Sequence, residues 1–381
     1  MAHDVDVRIG SKLVRRWTEY EVESDMLNPA DSFSLGLAPV DSELYELCAP
    51  DTAVQVLIDG APVLRGLIGE RSTGGDRSSG DVIRISGMDL GGRLLEESMD
   101  LISFKDLTIG ALVAQAAAPW FTTVTFSNAR NRDLVRGRRS GKARAASEPA
   151  GLVARKGAPK KVSPGETRWE TMVEFLEGSE ILIWSSGDGK EIVIGRPNYQ
   201  QEPQYRFFVA AAGSTRTREV NVVRWEERDS VDERYSQVTV VGAGKGDSYN
   251  YGQRLIKNQG HALNGSGTSG IGSDFTHRKI LIIGDDNVRS PADAKQRAEL
   301  EMASRDAKRH VVTLTLRGHG QPYQRGQAPT LYAFDTVCHY ENEVTGAKGR
   351  YLITRVRFRE DRVSGQTTEI EMVPTGTRLS L

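Results

Sequence analysis

The sequence predicts an α+β chain that is mainly β, with two similar β modules, one near each end, and an α/β region between them. Three observations lead there: an excess of glycine, the recurrence of short β-branched and aromatic segments between turn residues, and one repeated strand–turn–strand unit. Glycine accounts for 39 of 381 residues, about a tenth against a usual ~7%, and it accumulates where a chain must turn often. At roughly 100–200 residues per domain the chain has room for two or three cores.

The elements follow in chain order. Segments rich in Val, Ile, Thr, Phe and Tyr between Gly, Asn, Asp and Ser clusters read as strands: Ser32–Leu37, Ala53–Ile58, Val82–Ile85 and Thr122–Phe126 in the first third. The rest are Glu180–Trp184, Ile192–Ile194, Tyr235–Val241, Lys279–Ile283, Val311–Leu316, Tyr351–Phe358 and Thr367–Met372. Helices are few. Thr108–Ala118 stops at Pro119 and carries Leu112, Val113 and Ala116 on one face. Thr167–Glu177 sets Trp169, Met172, Val173 and Leu176 against an acidic stripe of Glu166, Glu170, Glu174 and Glu177. A third helix opens with Ser290 as N-cap and Pro291 at N1, and runs through Ala294, Ala298 and Met302 to about Arg309.

The repeat aligns Leu67-Ile68, Asp76-Arg77-Ser78-Ser79-Gly80 and Ile85 with Leu352-Ile353, Asp361-Arg362-Val363-Ser364-Gly365 and Ile370 at a constant offset of 285. Each copy reads as a β-hairpin. Two stretches break the strand pattern. Gly260–Gly272 reads as a flexible loop, and Arg136–Lys161, with almost no large apolar residue, reads as an extended arm or insertion.

Charge and composition exclude several functions. Fifty basic residues face 51 acidic ones, so the whole surface is not built for nucleic acid or anionic membrane. No apolar run approaches the ~20 residues of a membrane helix, and Met1–Asp6 lacks the features of a secretory signal, so synthesis in a cytoplasm is expected. Cys48 and Cys338 have no C-x-x-C partner and are expected in the core. The arm takes nine of the 50 basic residues and one of the 51 acidic ones, a net of +8, leaving 41 basic against 50 acidic elsewhere.

Tests for chemistry are negative. Val240–Gly246 matches neither phosphate-loop pattern and has no helix directly after it. Asp285-Asp286 reads as a polar turn rather than a metal or acid–base pair. No two of the six histidines stand at i,i+3 or i,i+4. No catalytic residue, cofactor or metal is expected. The arm residues Arg136, Arg138, Arg139, Lys142, Arg144, Arg155, Lys156, Lys160 and Lys161 are candidates for contact with an acidic partner surface; a solvated linker is the alternative.

The order of segments resembles the baseplate hub proteins of contractile-tailed bacteriophages, of the phage Mu type. The resemblance runs through Trp17–Leu37, Ile83–Glu96, Leu107-Thr108-Ile109 with Pro119, Ser163–Glu170, Asp232–Val240, Ala292-Asp293-Ala294, and Leu352 to Pro374. The basic arm and the short C-terminus depart from it. The resemblance implies two similar small antiparallel β-barrels, at 1–97 and at 219–242 with 308–375, with an α/β region at 98–218 and 243–307 and a tail at 376–381. It further implies a homotrimer whose six barrels make a pseudo-sixfold ring between a sixfold tail tube and a trimeric spike. The implied partners are the spike, the tube or a distal tube initiator, wedge proteins and tape measure. DNA would pass through only in transit, with no membrane contact, and the protein would reside in the tail baseplate of a virion assembled in the host cytoplasm. A tail-associated peptidoglycan-degrading enzyme using Glu166 and Glu170, and an oligonucleotide-binding barrel, are the competing readings.

Overall fold

A computed structural model describes residues 3–15, 17–76, 80–101, 103–104, 109–118, 120–127, 160–176, 181–216, 221–242, 259–263, 276–285, 288, 291–307, 309–321, 330–377 and 379. The first part of the chain forms strands β1 (Val5–Ile9), β2 (Lys12–Val14), β3 (Trp17–Asp25) and β4 (Ser32–Leu37), helix α1 (Ser42–Leu47), β5 (Ala53–Ile58), β6 (Ala61–Asp76), β7 (Gly80–Asp89) and α2 (Gly91–Glu96). Then come β8 (Ser103–Phe104), α3 (Ile109–Ala117), β9 (Thr123–Ser127), β10 (Lys160–Lys161), α4 (Arg168–Leu176), β11 (Leu182–Ser185), β12 (Glu191–Gly195) and β13 (Tyr205–Val209). The remainder is β14 (Val222–Asp229), β15 (Gln237–Gly242), β16 (Gln259–Leu263), β17 (Ile280–Asp285), α5 (Pro291–Ala307), β18 (His310–Arg317), β19 (Gly320–Gln321), β20 (Thr330–Leu331), β21 (Thr336–Asn342), β22 (Lys348–Asp361) and β23 (Gly365–Pro374).

One sheet of 13 strands carries the architecture, in the order β14-β18-β23-β22-β3-β4-β7-β6-β5-β1-β2, with β21 on β22 and β13 on β21. The duplication expected from the repeat is visible in this order. Outward from β3 it runs β3, β4, β7, β6, β5, β1; outward from β14 it runs β14, β18, β23, β22, β21, β13. The two sextets are not identical, since β1 is antiparallel to β5 whereas β13 is parallel to β21. Among the described residues no strand pairing closes either sextet on itself.

The chain divides into two compact units. The first comprises Met1–Leu176, Ile181–Glu226 and Thr313–Thr375; the second comprises Glu177–Glu180, Glu227–Val312 and Gly376–Leu381. In the first, alternation on each strand buries one face: Val54, Val56 and Ile58 on β5 and Phe33, Leu35 and Leu37 on β4 are at most 3% exposed. Both cysteines are buried, as expected. In the second, α5 lays Ala294, Ala298 and Met302 on Val238, Val240 and Ala262 of the three-stranded sheet β16-β15-β17. Thus β15, expected with the second barrel, pairs elsewhere, and β13, expected in the α/β region, joins the large sheet.

Three local corrections have physical causes. Gly260–Leu263, expected as flexible loop, is strand: a Cβ at Gly260 would lie 2.0 Å from the Lys295 amide, so glycine there lets the strand approach α5. The rest of that loop, and Ala243–Gly246 of the glycine-rich stretch, lie outside the described residues. Helix α1 was not expected; Asp41 caps it, its side chain accepting from the Leu44 amide at 2.7 Å. Helix α2 starts on two glycines, and a Cβ at Gly91 would lie 2.0 Å from the Pro29 carbonyl oxygen.

Candidate assembly interface

The repeated hairpins are alike in detail. Both close on a left-handed glycine, Gly80 at φ 76° and Gly365 at φ 64°. The pairs Asp76↔Gly80 and Asp361↔Gly365 end the ladders, and each ladder slips by one residue at the same place, between Ile68 and Glu70 and between Ile353 and Arg355. Such bulges increase the local twist and aim the strand ends.

They differ in what lies alongside. The first half of β6, Ala61–Leu67, pairs with β5, and the first half of β22, Lys348–Ile353, pairs with β21. Beyond the bulge, Arg355–Glu360 of β22 pairs antiparallel with Tyr20–Asp25 of β3, joining the two sextets. Its counterpart Glu70–Gly75 of β6 has no strand on that side among the described residues.

The β22–β3 joint has a dry face and a charged face. On the dry face Tyr20, Val22, Val356 and Phe358 are at most 4% exposed. Tyr20 lies with the fully buried His319, whose Nδ1 is 2.9 Å from Thr368 Oγ1. The Thr368 hydroxyl donates to the Gly318 carbonyl at 2.7 Å, so His319 Nδ1 donates to Thr368 and Nε2 accepts from Tyr20. Burial, with His3 adding to it, pushes the imidazole down to about 3, so it is neutral; burial and the Glu360 carboxylate push the Tyr20 phenol up. On the charged face Arg355, Arg357 and Arg359 interleave with four carboxylates. Arg359 Nε reaches Glu21 at 2.6 Å, Arg357 Nε reaches Glu23 at 2.5 Å and Glu369 by its Nη1 at 3.3 Å, and Arg355 Nη2 reaches Glu371 at 2.7 Å. Burial works against the Arg357 charge, but Glu23, Glu21 and Glu369 outweigh it and hold the guanidinium proton more tightly than usual.

The turn into α2 holds a second polar cluster. Asp89 ends β7 and accepts from the Gly91 amide at 2.9 Å and from the Ser185 hydroxyl; Asp31 accepts from Ser24 at 2.8 Å, and the Asp89 amide donates to the Asp31 carbonyl at 2.8 Å. Burial pushes the Asp89 carboxyl up to about 7 despite those donors, and Asp31, buried beside it, is raised as well.

The other sequence candidates fall as follows. Glu170 accepts from the Thr167 amide at 2.8 Å while Thr167 Oγ1 accepts from the Glu170 amide at 3.1 Å, which is a capping box for α4. Glu166 accepts from the Ser163 amide at 2.9 Å and from Thr171 Oγ1 at 2.8 Å. Both carboxylates are therefore engaged in building the helix start. Arg168, 5% exposed, ties this start to Glu97 at 3.2 Å and to the Ala116 carbonyl at 3.0 Å. Asp285, at the end of β17, is buried 3.5 Å from Arg297 of α5; Asp286 lies outside the described residues. Among those residues no group of three His, Cys, Asp or Glu side chains could hold a metal ion, and no helix is long and apolar enough to cross a membrane. Of the basic arm, Lys160 and Lys161 form β10 and pair with Phe104 and Ser103. Arg136, Arg138, Arg139, Lys142, Arg144, Arg155 and Lys156 lie outside the described residues.

Comparison with solved structures places this fold. A tail protein from Neisseria meningitidis, 22% identical, superposes with a TM-score of 0.74 over 99% of this chain and 98% of its own. The 43 kDa tail protein of prophage MuSo2 from Shewanella oneidensis, 18% identical, gives 0.73 over 98% and 99%. A type VI secretion system component from E. coli, described as structurally similar to T4 bacteriophage tail proteins, is 9% identical and gives 0.54 over 100% and 79%. No curated protein matches the sequence. Residues 4–89, which span β1 to β7, match the family model of the Mu phage baseplate assembly protein GpP-like N-terminal region. Residues 4–89 are thus similar to the N-terminal region of Mu phage baseplate assembly proteins, and the chain as a whole shares the fold of these tail proteins.

Proposed function

We propose that the chain is the structural hub of a contractile-tail baseplate, a non-enzymatic homotrimer. Each copy supplies two β modules that act as barrels, so three copies present six equivalent modules. The resulting pseudo-sixfold ring adapts a sixfold tail tube to a trimeric spike and surrounds the passage for tape measure and DNA. The observation that carries this reading is the duplicated strand order, with its matched bulges and glycines, within one chain. A symmetry mismatch of six against three needs two similar modules per subunit, and a duplicated sheet supplies them.

In this reading the basic segment 136–161 grips an acidic neighbour such as a wedge protein, while the rest of the chain, with 41 basic and 50 acidic residues, repels passing DNA. The cell-wall hydrolase reading is disfavoured because the capping bonds of Glu166 and Glu170 hold both carboxylates at the helix start. Mass measurement of the full chain tests the proposal. A trimer at micromolar concentration, alone or on addition of a cognate spike protein, is expected; a strict monomer under both conditions overturns the reading.

A further inference from the structure

We infer that the outer edge of β6, Glu70–Gly75, is the seat of strand β14 from a second copy of this chain, paired antiparallel as β3 pairs with β22. The inference rests on the ring proposed above and names the strands that join its subunits.

Quasi-equivalence carries it. In the order of the two sextets, β6 occupies the place of β22, and β14 occupies the place of β3. Inside one chain β22 receives β3 along Arg355–Glu360. The equivalent step would bring β14 to Glu70–Gly75, yet among the described residues β14 is the terminal strand of the sheet and pairs with β18 alone, seven strands away from β6. Only the β14 of another copy can reach that edge without undoing the sheet.

Both edges look like halves of an unmade joint. Thr73, the counterpart of Phe358, is exposed, and Arg71, the counterpart of Val356, is half-buried with its guanidinium 3.8 Å from the Tyr45 ring, whereas Phe358 and Val356 in the made joint are 4% and 1% exposed. On β14, Val223 is 56% exposed, and residues on both faces of the strand reach solvent. A long sheet edge left open is a template for another strand. Because the two edges differ, the contact is heterologous and repeats from copy to copy until a ring closes.

The seam is not a replica of the inner joint. Where β22 offers Arg355, Arg357 and Arg359, β6 offers Glu70, Ser72 and Gly74. The interchain seam is therefore held by main-chain hydrogen bonds rather than by an arginine–glutamate lattice.

Disulfide trapping on the full chain tests the seam, since the two native cysteines are both buried. Ser72→Cys combined in turn with Val223→Cys, Arg224→Cys, Glu226→Cys and Arg228→Cys samples the possible registers. At least one pair is expected to give a ladder of crosslinked chains ending at a covalent closed oligomer, while each single variant stays uncrosslinked. Thr73→Pro, which removes a ladder donor, is expected to cut the oligomer fraction about tenfold, with Thr73→Val retaining it. An oligomer of wild-type chain that yields no mixed-edge crosslink in any of the four pairs, or that crosslinks through Ser72→Cys alone, overturns the seam and leaves the ring reading standing. A wild-type chain that remains monomeric with and without the spike overturns both.

Discussion

The hairpins β6–β7 and β22–β23 are the same object in two settings. They share the closing glycine, the bulge and the offset of 285. One has β3 laid along its outer half, and the other has no strand there among the described residues. Hairpin geometry is thus a local property, set by turn and bulge, while the burial of its residues is decided by what arrives from elsewhere in the chain. The same fold element is a core in one place and an edge in the other.

The largest effect should come from truncating equivalent residues in the two settings. Phe358 pairs with Thr368 and packs its ring 5.1 Å from His319; its counterpart Thr73 pairs with Ile83 and is exposed. Phe358→Ala is expected to lower unfolding stability by about 3–5 kcal/mol, and Thr73→Ala to change it by less than about 0.5 kcal/mol, both read from urea denaturation of the isolated chain. Equal losses would show that β6 is already covered.

A second contrast is in acid response, because one region buries the raised pair Asp89 and Asp31 and the other the lowered His319. Asp89 at the end of β7 is raised to about 7, so its stabilising contribution is complete below the unfolded value of about 4 and is lost as pH rises through 7. His319 beside the β22–β3 joint is lowered to about 3, so the unfolded chain takes up the proton first, and stability is lost as pH falls from about 6.5 through 3. Between pH 4 and 6.5 the two oppose each other. The double variant Asp31→Asn, Asp89→Asn is expected to remove the raised pair and expose the His319 response, with the urea midpoint falling on acidification from 6.5 to 4.5. His319→Gln is expected to do the reverse, with the midpoint falling as pH rises from 4.5 to 7.5. Each swing should be on the order of a few kcal/mol at most. Identical pH profiles for the two variants would show that neither burial governs its group.

Much of this was legible in the sequence, and the illegible part has a common cause. Strand β5 occurs at the expected Ala53–Ile58, and the faces of α3 and α5 bury Leu112, Val113, Ala116, Ala294, Ala298 and Met302 as the periodicity implies. Asp and Gly at fixed places marked both hairpin turns. These are contacts over a few residues. The joint is not, since Arg357 and Glu23 are 334 positions apart. Nothing local distinguishes a β22 whose outer half meets β3 from a β6 whose outer half has no third strand beside it among the described residues. Asp31 and Asp89 likewise come together only through the β4–β7 pairing, and Gly260 looked like a loop residue because a glycine that admits a helix and a glycine that permits a turn are the same letter.

The smallest effect separates the two faces of the made joint. Arg357 and Glu23 keep about a fifth of their side-chain surface exposed, 21% and 22%, so their attraction is partly screened and such pairs contribute modestly. Arg357→Met should retain the stem that covers the strand while removing the charge, at a cost of about 1 kcal/mol in low salt. That cost should shrink toward zero in 1 M salt, where the screening length is roughly 3 Å. The equivalent Ser72 carries no charge and has no ion pair to lose, so Ser72→Ala should show no salt dependence in the monomer. If Arg357→Met instead costs as much in 1 M salt as in dilute buffer, the lattice acts through packing, and the two hairpins differ only by the strand that covers one of them. Denaturant midpoints measured for both variants at the two salt concentrations separate these outcomes.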